Sequence, residues 1–136
     1  MILGVGTDIV ATARLARMAD QYGDRFLRRV FTRREVETAE MRATLEQRLG
    51  TRFAAKEATM KALGTGWRNG VQFTQIEVRK HPTGRPEMVL SGEARARAEA
   101  LGVTTIHVSL SHEAETAMAV VILEGELPDS ASDAHS

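Results

Sequence analysis

With 136 residues, 43% of them hydrophobic, the chain has enough apolar material for one compact domain and too little for two well-packed cores. It contains no cysteine, which excludes disulfides, thiolate metal sites and a cysteine nucleophile, and which suits a reducing cytoplasm. Eighteen basic side chains balance eighteen acidic ones, so the overall positive charge of a general nucleic-acid binder is missing.

The first segment, MILGVGTDIV, has no basic stretch ahead of it and carries an aspartate, so it does not read as a signal peptide. No apolar run reaches the roughly 18 residues of a membrane span. Residues 2–10 read as a strand in which Leu3, Val5 and Ile9 share one parity and Gly4, Gly6 and Asp8 the other. Two glycines beside a carboxylate suggest that something approaches this backbone closely, or else a turn or bulge. Residues 11–22 follow as an amphipathic helix with Leu15, Met18 and Ala19 on one side, and Gly23 stops it. Phe26, Leu27, Val30 and Phe31 suggest a further helical turn. Thr32 and Glu35 have the spacing of a capping box that opens a helix through about Met41. Between residues 14 and 34, seven arginines face two aspartates, whereas every charged side chain from Glu113 onward is acidic. That basic segment fits either a docking surface for an acidic partner or a solvated helix face.

The longest helical pattern spans Leu45 to Leu63, ending at Gly64 and Gly66. Thr51, Ala54, Ala55, Ala58 and Ala62 form a stripe of small side chains that lets the helix approach a sheet, with Glu57 and Lys61 on its flank. After a loop containing Trp67, Asn69 and Gly70, Ile76 and Val78 alternate as in a half-buried strand. PTGRP at 82–86 is a turn and Met88 to Leu90 begins a return strand. A helix over Gly92 to Leu101 precedes two more strands, one alternating at Ile106, Val108 and Leu110, the other a nearly continuous apolar run from Ala117 to Leu123. The expected fold is α+β, a mainly antiparallel sheet packed against the long helix, forming one domain over residues 1–125 with a disordered tail at 126–136.

Magnesium takes hard oxygen ligands and keeps several waters, so one or two carboxylates plus substrate phosphates make a typical site. Asp8 and Glu57 meet that requirement, although Asp8 also suits a helix cap and Glu57 an ion pair with Lys61 one turn on.

GVGTDIV at 4–10 followed by Arg14, RFAAKEATMKALGTG at 52–66 and VSLSHE at 108–113 together resemble the motif set of the holo-acyl-carrier-protein synthases. FLRRVFTRRE, GRPEMVLSGEA and AMAVVILE extend the resemblance over almost everything except the tail. It implies the 4′-phosphopantetheinyl transferase fold. It also implies transfer of the 4′-phosphopantetheine arm of coenzyme A to a serine of apo-acyl carrier protein, releasing adenosine 3′,5′-bisphosphate, in support of fatty acid biosynthesis. Magnesium as cofactor, a cytoplasmic location and a homotrimer with interfacial active sites are implied as well.

Carried onto this sequence, the resemblance makes Asp8 and Glu57 the metal ligands and sets Lys61 at the transferred phosphate. His112 would lie near the coenzyme A phosphates, though a strand-end histidine needs no ligand. Arg52 and Lys56 are candidate phosphate contacts or exposed helix charges, and Gly64 and Thr65 are candidate backbone contacts to coenzyme A or a plain helix stop. Glu35 is a candidate proton acceptor for the serine, beside its capping role. Arg14, Met18, Arg25 and Arg29 match the surface expected to meet the acidic carrier protein. Arg85 stands where the family usually has lysine. Two other classes compete: a noncatalytic coenzyme A or nucleotide binder, against which both carboxylates count, and a nucleic-acid module, for which six aromatic residues give little stacking surface.

Overall fold

A computed structural model of the chain describes residues 1–40, 45–66 and 70–128. Trp67, Asn69, the expected helix end at Met41 and the tail from residue 129 lie outside the described residues. The order of elements is strand β1 (Ile2–Ala11), helices α1 (Thr12–Tyr22), α2 (Asp24–Val30), α3 (Arg33–Glu40) and α4 (Leu45–Leu63), a 3-10 turn (Phe73–Gln75), strands β2 (Ile76–Lys80) and β3 (Pro86–Leu90), helix α5 (Gly92–Leu101), and strands β4 (Val103–Glu113) and β5 (Thr116–Gly125). The strands form two antiparallel sheets, β1-β5-β4 and β2-β3, rather than one.

Helix α4 runs through the middle and is buried on nearly every side. One side carries Ala54 and Ala58, both fully buried, and Ala62, set against the inner face of the larger sheet at Ala117, Ala119, Val121 and Leu123. The glycines of β1 make this contact possible. A Cβ on Gly6 would fall inside the Ala58 carbonyl and 2.9 Å from the Ala62 amide nitrogen, and one on Gly4 would crowd the Ala62 carbonyl, 3.2 Å from its carbon. What approaches the β1 backbone is therefore α4 itself. Small residues on both partners bring helix and strand close enough for a side chain of β1 to meet one of α4, which fixes Asp8 relative to Lys61.

The opposite parity of β1 points away from the core. Val5 and Ile9 are 56% and 69% exposed, and Ile9 pairs with Met118, itself exposed, leaving an apolar outer face on this sheet. On the far side of α4, Phe31, Met60, Leu63, Ile76 and Val78 form the core between α4, α3 and the smaller sheet. Phe31 meets Phe26 edge-on, with centroids 6.3 Å apart.

The expected capping box is present. The Thr32 amide donates to Glu35 Oε1 at 2.9 Å, and the Glu35 amide donates to the Thr32 hydroxyl at 3.2 Å. Asp8 caps no helix; α1 starts at Thr12, whose amide donates to the Glu115 carbonyl at 2.8 Å in the β4–β5 turn. Among the described residues no helix is long and apolar enough to cross a membrane.

Candidate functional site

Three charged side chains converge where α4 crosses β1. Asp8 projects from the β1 face turned toward the helix, while Glu57 and Lys61 lie one turn apart on the flank of α4 that neither sheet covers. The Lys61 ammonium donates to Asp8 Oδ1 and to the Thr7 carbonyl, each at 3.0 Å. Lys61 therefore bridges to the strand instead of pairing along the helix with Glu57. Partial burial pushes the Glu57 carboxyl above its ordinary pKa, and the neighbouring Asp8 carboxylate pushes it further, against the opposing pull of Lys61 and Arg14. The two carboxylates repel each other across the seam, and the Lys61 ammonium bonds directly to Asp8. Among the described residues no cluster of three metal-ligating side chains exists, so the two carboxylates supply a partial oxygen donor set. Such a set fits a hard divalent ion that completes its shell with water and substrate oxygens.

Glu57 also faces a cleft of about 720 Å³, a size suited to a ligand group. Its walls are apolar, with Phe26, Val30, Phe53, Met60, Val71 and Phe73, and the Phe53 and Phe73 rings stack with centroids 5.6 Å apart. Arg14, Met18, Arg25 and Arg29 line the same cleft, so the basic segment read from the sequence opens beside the carboxylates. The phenylalanines were not expected as part of a site. Their available signal was scarcity, since three of the four in the chain line this one cleft.

Other candidates are placed elsewhere. Glu35 and Lys56 have fully buried side chains, 0% exposed, and bond to each other at 2.8 Å. Burial pushes the Lys56 ammonium below its ordinary pKa, opposed chiefly by the Glu35 carboxylate. Neither reaches the cleft surface, so Lys56 is not an exposed helix charge. The Glu35 carboxylate also accepts from the Thr32 and Val78 amides, each at 2.9 Å. Arg52 is likewise buried, and its Nη1 donates to the Arg48 carbonyl at 3.3 Å. Gly64 and Thr65 close α4, their amides donating to the Met60 carbonyl at 3.0 and 3.3 Å. His112 stands exposed at the end of β4, opposite Ala117 of β5, while Asp8 pairs with Ala119 from the other side of β5. Two strand spacings across the sheet and two residues along β5, together about 12 Å, thus separate the backbones of His112 and Asp8 within one chain.

The sequence model of the 4′-phosphopantetheinyl transferase superfamily matches residues 4–121. The chain belongs to this superfamily. A holo-[acyl-carrier-protein] synthase of Koribacter versatilis is 48% identical over 124 residues, covering 91% of this chain and 99% of the relative. Among solved structures, the holo-[acyl-carrier-protein] synthase of Neisseria meningitidis superposes with a TM-score of 0.83 at 37% identity, covering 91% of this chain and 99% of that one. The Bacillus anthracis synthase, described as a complex with CoA (3′,5′-ADP), gives a TM-score of 0.76 at 37% identity over 93% and 99% of the two chains. As a phosphopantetheinyl transferase, the chain has its charged cluster within the matched span, on the two elements whose close packing depends on Gly4 and Gly6.

Proposed function

We propose that this protein is a holo-[acyl-carrier-protein] synthase, moving 4′-phosphopantetheine from coenzyme A to a serine of apo-acyl carrier protein. The observation that carries this reading is the cluster of Asp8, Glu57 and Lys61, whose Glu57 also faces an arginine-lined cleft. The serine oxygen bonds to the β-phosphorus, the bond from that phosphorus to the bridging oxygen breaks, and adenosine 3′,5′-bisphosphate departs while the serine proton passes to a base. Asp8 and Glu57 would hold magnesium, which would supply the positive charge that a pyrophosphate-bearing substrate requires. Lys61 sets a cation at the same point, its ammonium oriented by the Thr7 carbonyl and Asp8 and its side chain more than half exposed, free to meet phosphate oxygens. Arg14, Arg25 and Arg29 would attract an acidic carrier, and Met18 offers it an adaptable apolar contact. The reading places the work in the cytoplasm, which suits a chain without cysteine.

The test is to incubate the protein with apo-acyl carrier protein, coenzyme A and magnesium and to weigh the carrier. The expected result is a carrier heavier by one phosphopantetheine arm. A folded protein that leaves the carrier mass unchanged would refute the proposed reaction.

We also propose that the working form is a homotrimer in which a second copy completes the site. Two features support this: the exposed apolar face at Val5, Ile9 and Met118, and the separation of His112 from Asp8. Light scattering should then return three times the 14.9 kDa of one chain. Ile9→Arg, which leaves the inner face of β1 untouched, should give a folded monomer with little transfer. A monomeric but fully active wild-type protein would remove this proposal.

A further inference from the structure

The Lys56–Glu35 pair occupies a place that no exposed charge could hold. The Lys56 ammonium donates to Glu35 Oε1 and to the Phe73 carbonyl, both at 2.8 Å, and also to the Ile76 carbonyl. Glu35 is equally committed, with Oε1 accepting from the Thr32 amide and Oε2 from the Val78 amide, each at 2.9 Å. One buried ion pair thus joins α4, the start of α3, the 3-10 turn and β2. At about 100° per residue, Lys56 leaves α4 some 160° around from Ala58, which packs against Gly6. The helix is held from opposite sides, by backbone contact with β1 and by this pair. Glu57, the next residue, emerges between the two.

The carbonyl that Lys56 holds belongs to Phe73, whose ring stacks on Phe53 and, with Gln72 and Val71, lines the cleft that Glu57 faces. A cation with three oxygen partners sets both the rotation of α4, hence the direction of Glu57, and the position of the wall opposite. A hydrophobic pair of similar volume would fill the same space and keep much of the stability. It would not pin two carbonyls at a fixed distance from the helix axis.

We infer that Lys56 and Glu35 are positioning residues for the transfer step: they touch no substrate and hold Glu57 and the Phe73 wall in register. The inference rests on the transfer reaction proposed above. Its argument is geometric, because a misplacement of about 1 Å at a reacting centre costs on the order of 10²-fold in rate.

Two variants test it, Lys56→Met, which keeps the length and removes the donor, and Glu35→Gln, the milder change should the first fail to fold. Both would be assayed by carrier mass gain well below their melting temperatures, beside wild-type protein. Wild-type transfer reports on the reaction itself, and the ratio of variant to wild type reports on the ion pair. The expected result for Lys56→Met is a kcat lower by about 10- to 100-fold with the KM for coenzyme A within about threefold of wild type. Glu35→Gln should lose less than Lys56→Met, because its side chain can still accept a backbone amide. A tenfold rise in the KM for coenzyme A at unchanged kcat would make Lys56 a substrate contact and overturn the inference. Wild-type kcat in a folded variant would reduce the pair to a stabilising contact, with the same consequence. A Glu35→Gln loss far exceeding that of Lys56→Met, with the acidic limb of the pH–rate profile abolished, would make Glu35 the proton acceptor instead.

Discussion

Glu57→Gln is expected to lower magnesium-dependent transfer on the order of 10³-fold while leaving the metal-free protein as stable as wild type or more so. The first half follows from the proposed role. A ligand to the ion that neutralises pyrophosphate charge is worth several kcal/mol in the transition state, and each factor of ten takes about 1.4 kcal/mol. The second half follows from electrostatics. Burial and the Asp8 carboxylate hold the Glu57 carboxyl above its ordinary value. An acid with a raised folded-state pKa favours folding below the ordinary carboxylate range, and that support is withdrawn as pH rises through its own value. Above that value the ionised side chain weighs against the fold, and a neutral amide of the same shape removes the weight. The two halves separate function from stability. Magnesium at ten times its dissociation constant should stabilise the wild-type protein by about 1.4 kcal/mol, and Glu57→Gln should lose that response in a melting experiment. Asp8→Ala should lose transfer to a similar degree. It should show no matching gain in stability, because it also deprives Lys61 of its partner at 3.0 Å. Full activity in either variant, or a magnesium-induced rise in melting temperature that survives both substitutions, would take the metal away from this pair.

Much of this site was legible because its signals are local. Leu45–Leu63 reads as one long helix despite Gly50, with Gly64 after it, and the structure returns those bounds. Thr32 and Glu35 are three residues apart and cap each other as their spacing demands. Asp8 and Glu57 stood out through their surrounding motifs; strand parity and helical flank alone only permitted them to meet. What stayed hidden depends on partners distant in the chain. Lys56 reads as a phosphate contact or an exposed helix charge and Glu35 as a cap or a proton acceptor, and nothing in either segment announces that each is the other's counterion or that Glu35 also receives the amide of Val78. Strand parity likewise separated Val5 and Ile9 from Gly4 and Gly6 without saying which set faces inward. Hydrophobicity alone would have buried the valine and isoleucine. The inside belongs to the glycines, because what packs there is helix backbone, and the larger side chains are left outside as a candidate surface for another copy. Alternating apolar residues also do not say which strands pair, so the division into sheets of three and two could not be read in advance.

The tightest of these contacts gives the second large effect. Gly6→Ala adds one methyl group, yet that carbon would fall inside the Ala58 carbonyl, 2.8 Å from its carbon and 2.9 Å from the Ala62 nitrogen. All three obstacles are backbone atoms of α4. No rotamer change relieves them, and either the strand or the helix must move. Overpacking a core typically costs 1–3 kcal/mol, and a clash between two backbones belongs at or above the top of that range, so a fall of about 10 °C in melting temperature is expected. The movement has a direction. Pushing α4 off β1 carries Glu57 and Lys61 away from Asp8, so the folded fraction should also transfer on the order of 10²-fold more slowly. Gly84→Ala provides the contrast. Its φ of +95° strains any side chain, but nothing lies within 4 Å of the added carbon, in the β2–β3 turn away from the cleft. That change should cost about 1 kcal/mol and leave kcat unaltered. If Gly6→Ala melted within a degree or two of wild type and turned over normally, close backbone packing would not be what aligns the carboxylates. If it behaved like Gly84→Ala, losing stability alone, the alignment of Asp8 with Glu57 would have to come from elsewhere, and the Lys56–Glu35 clamp on the opposite side of α4 would be the remaining source.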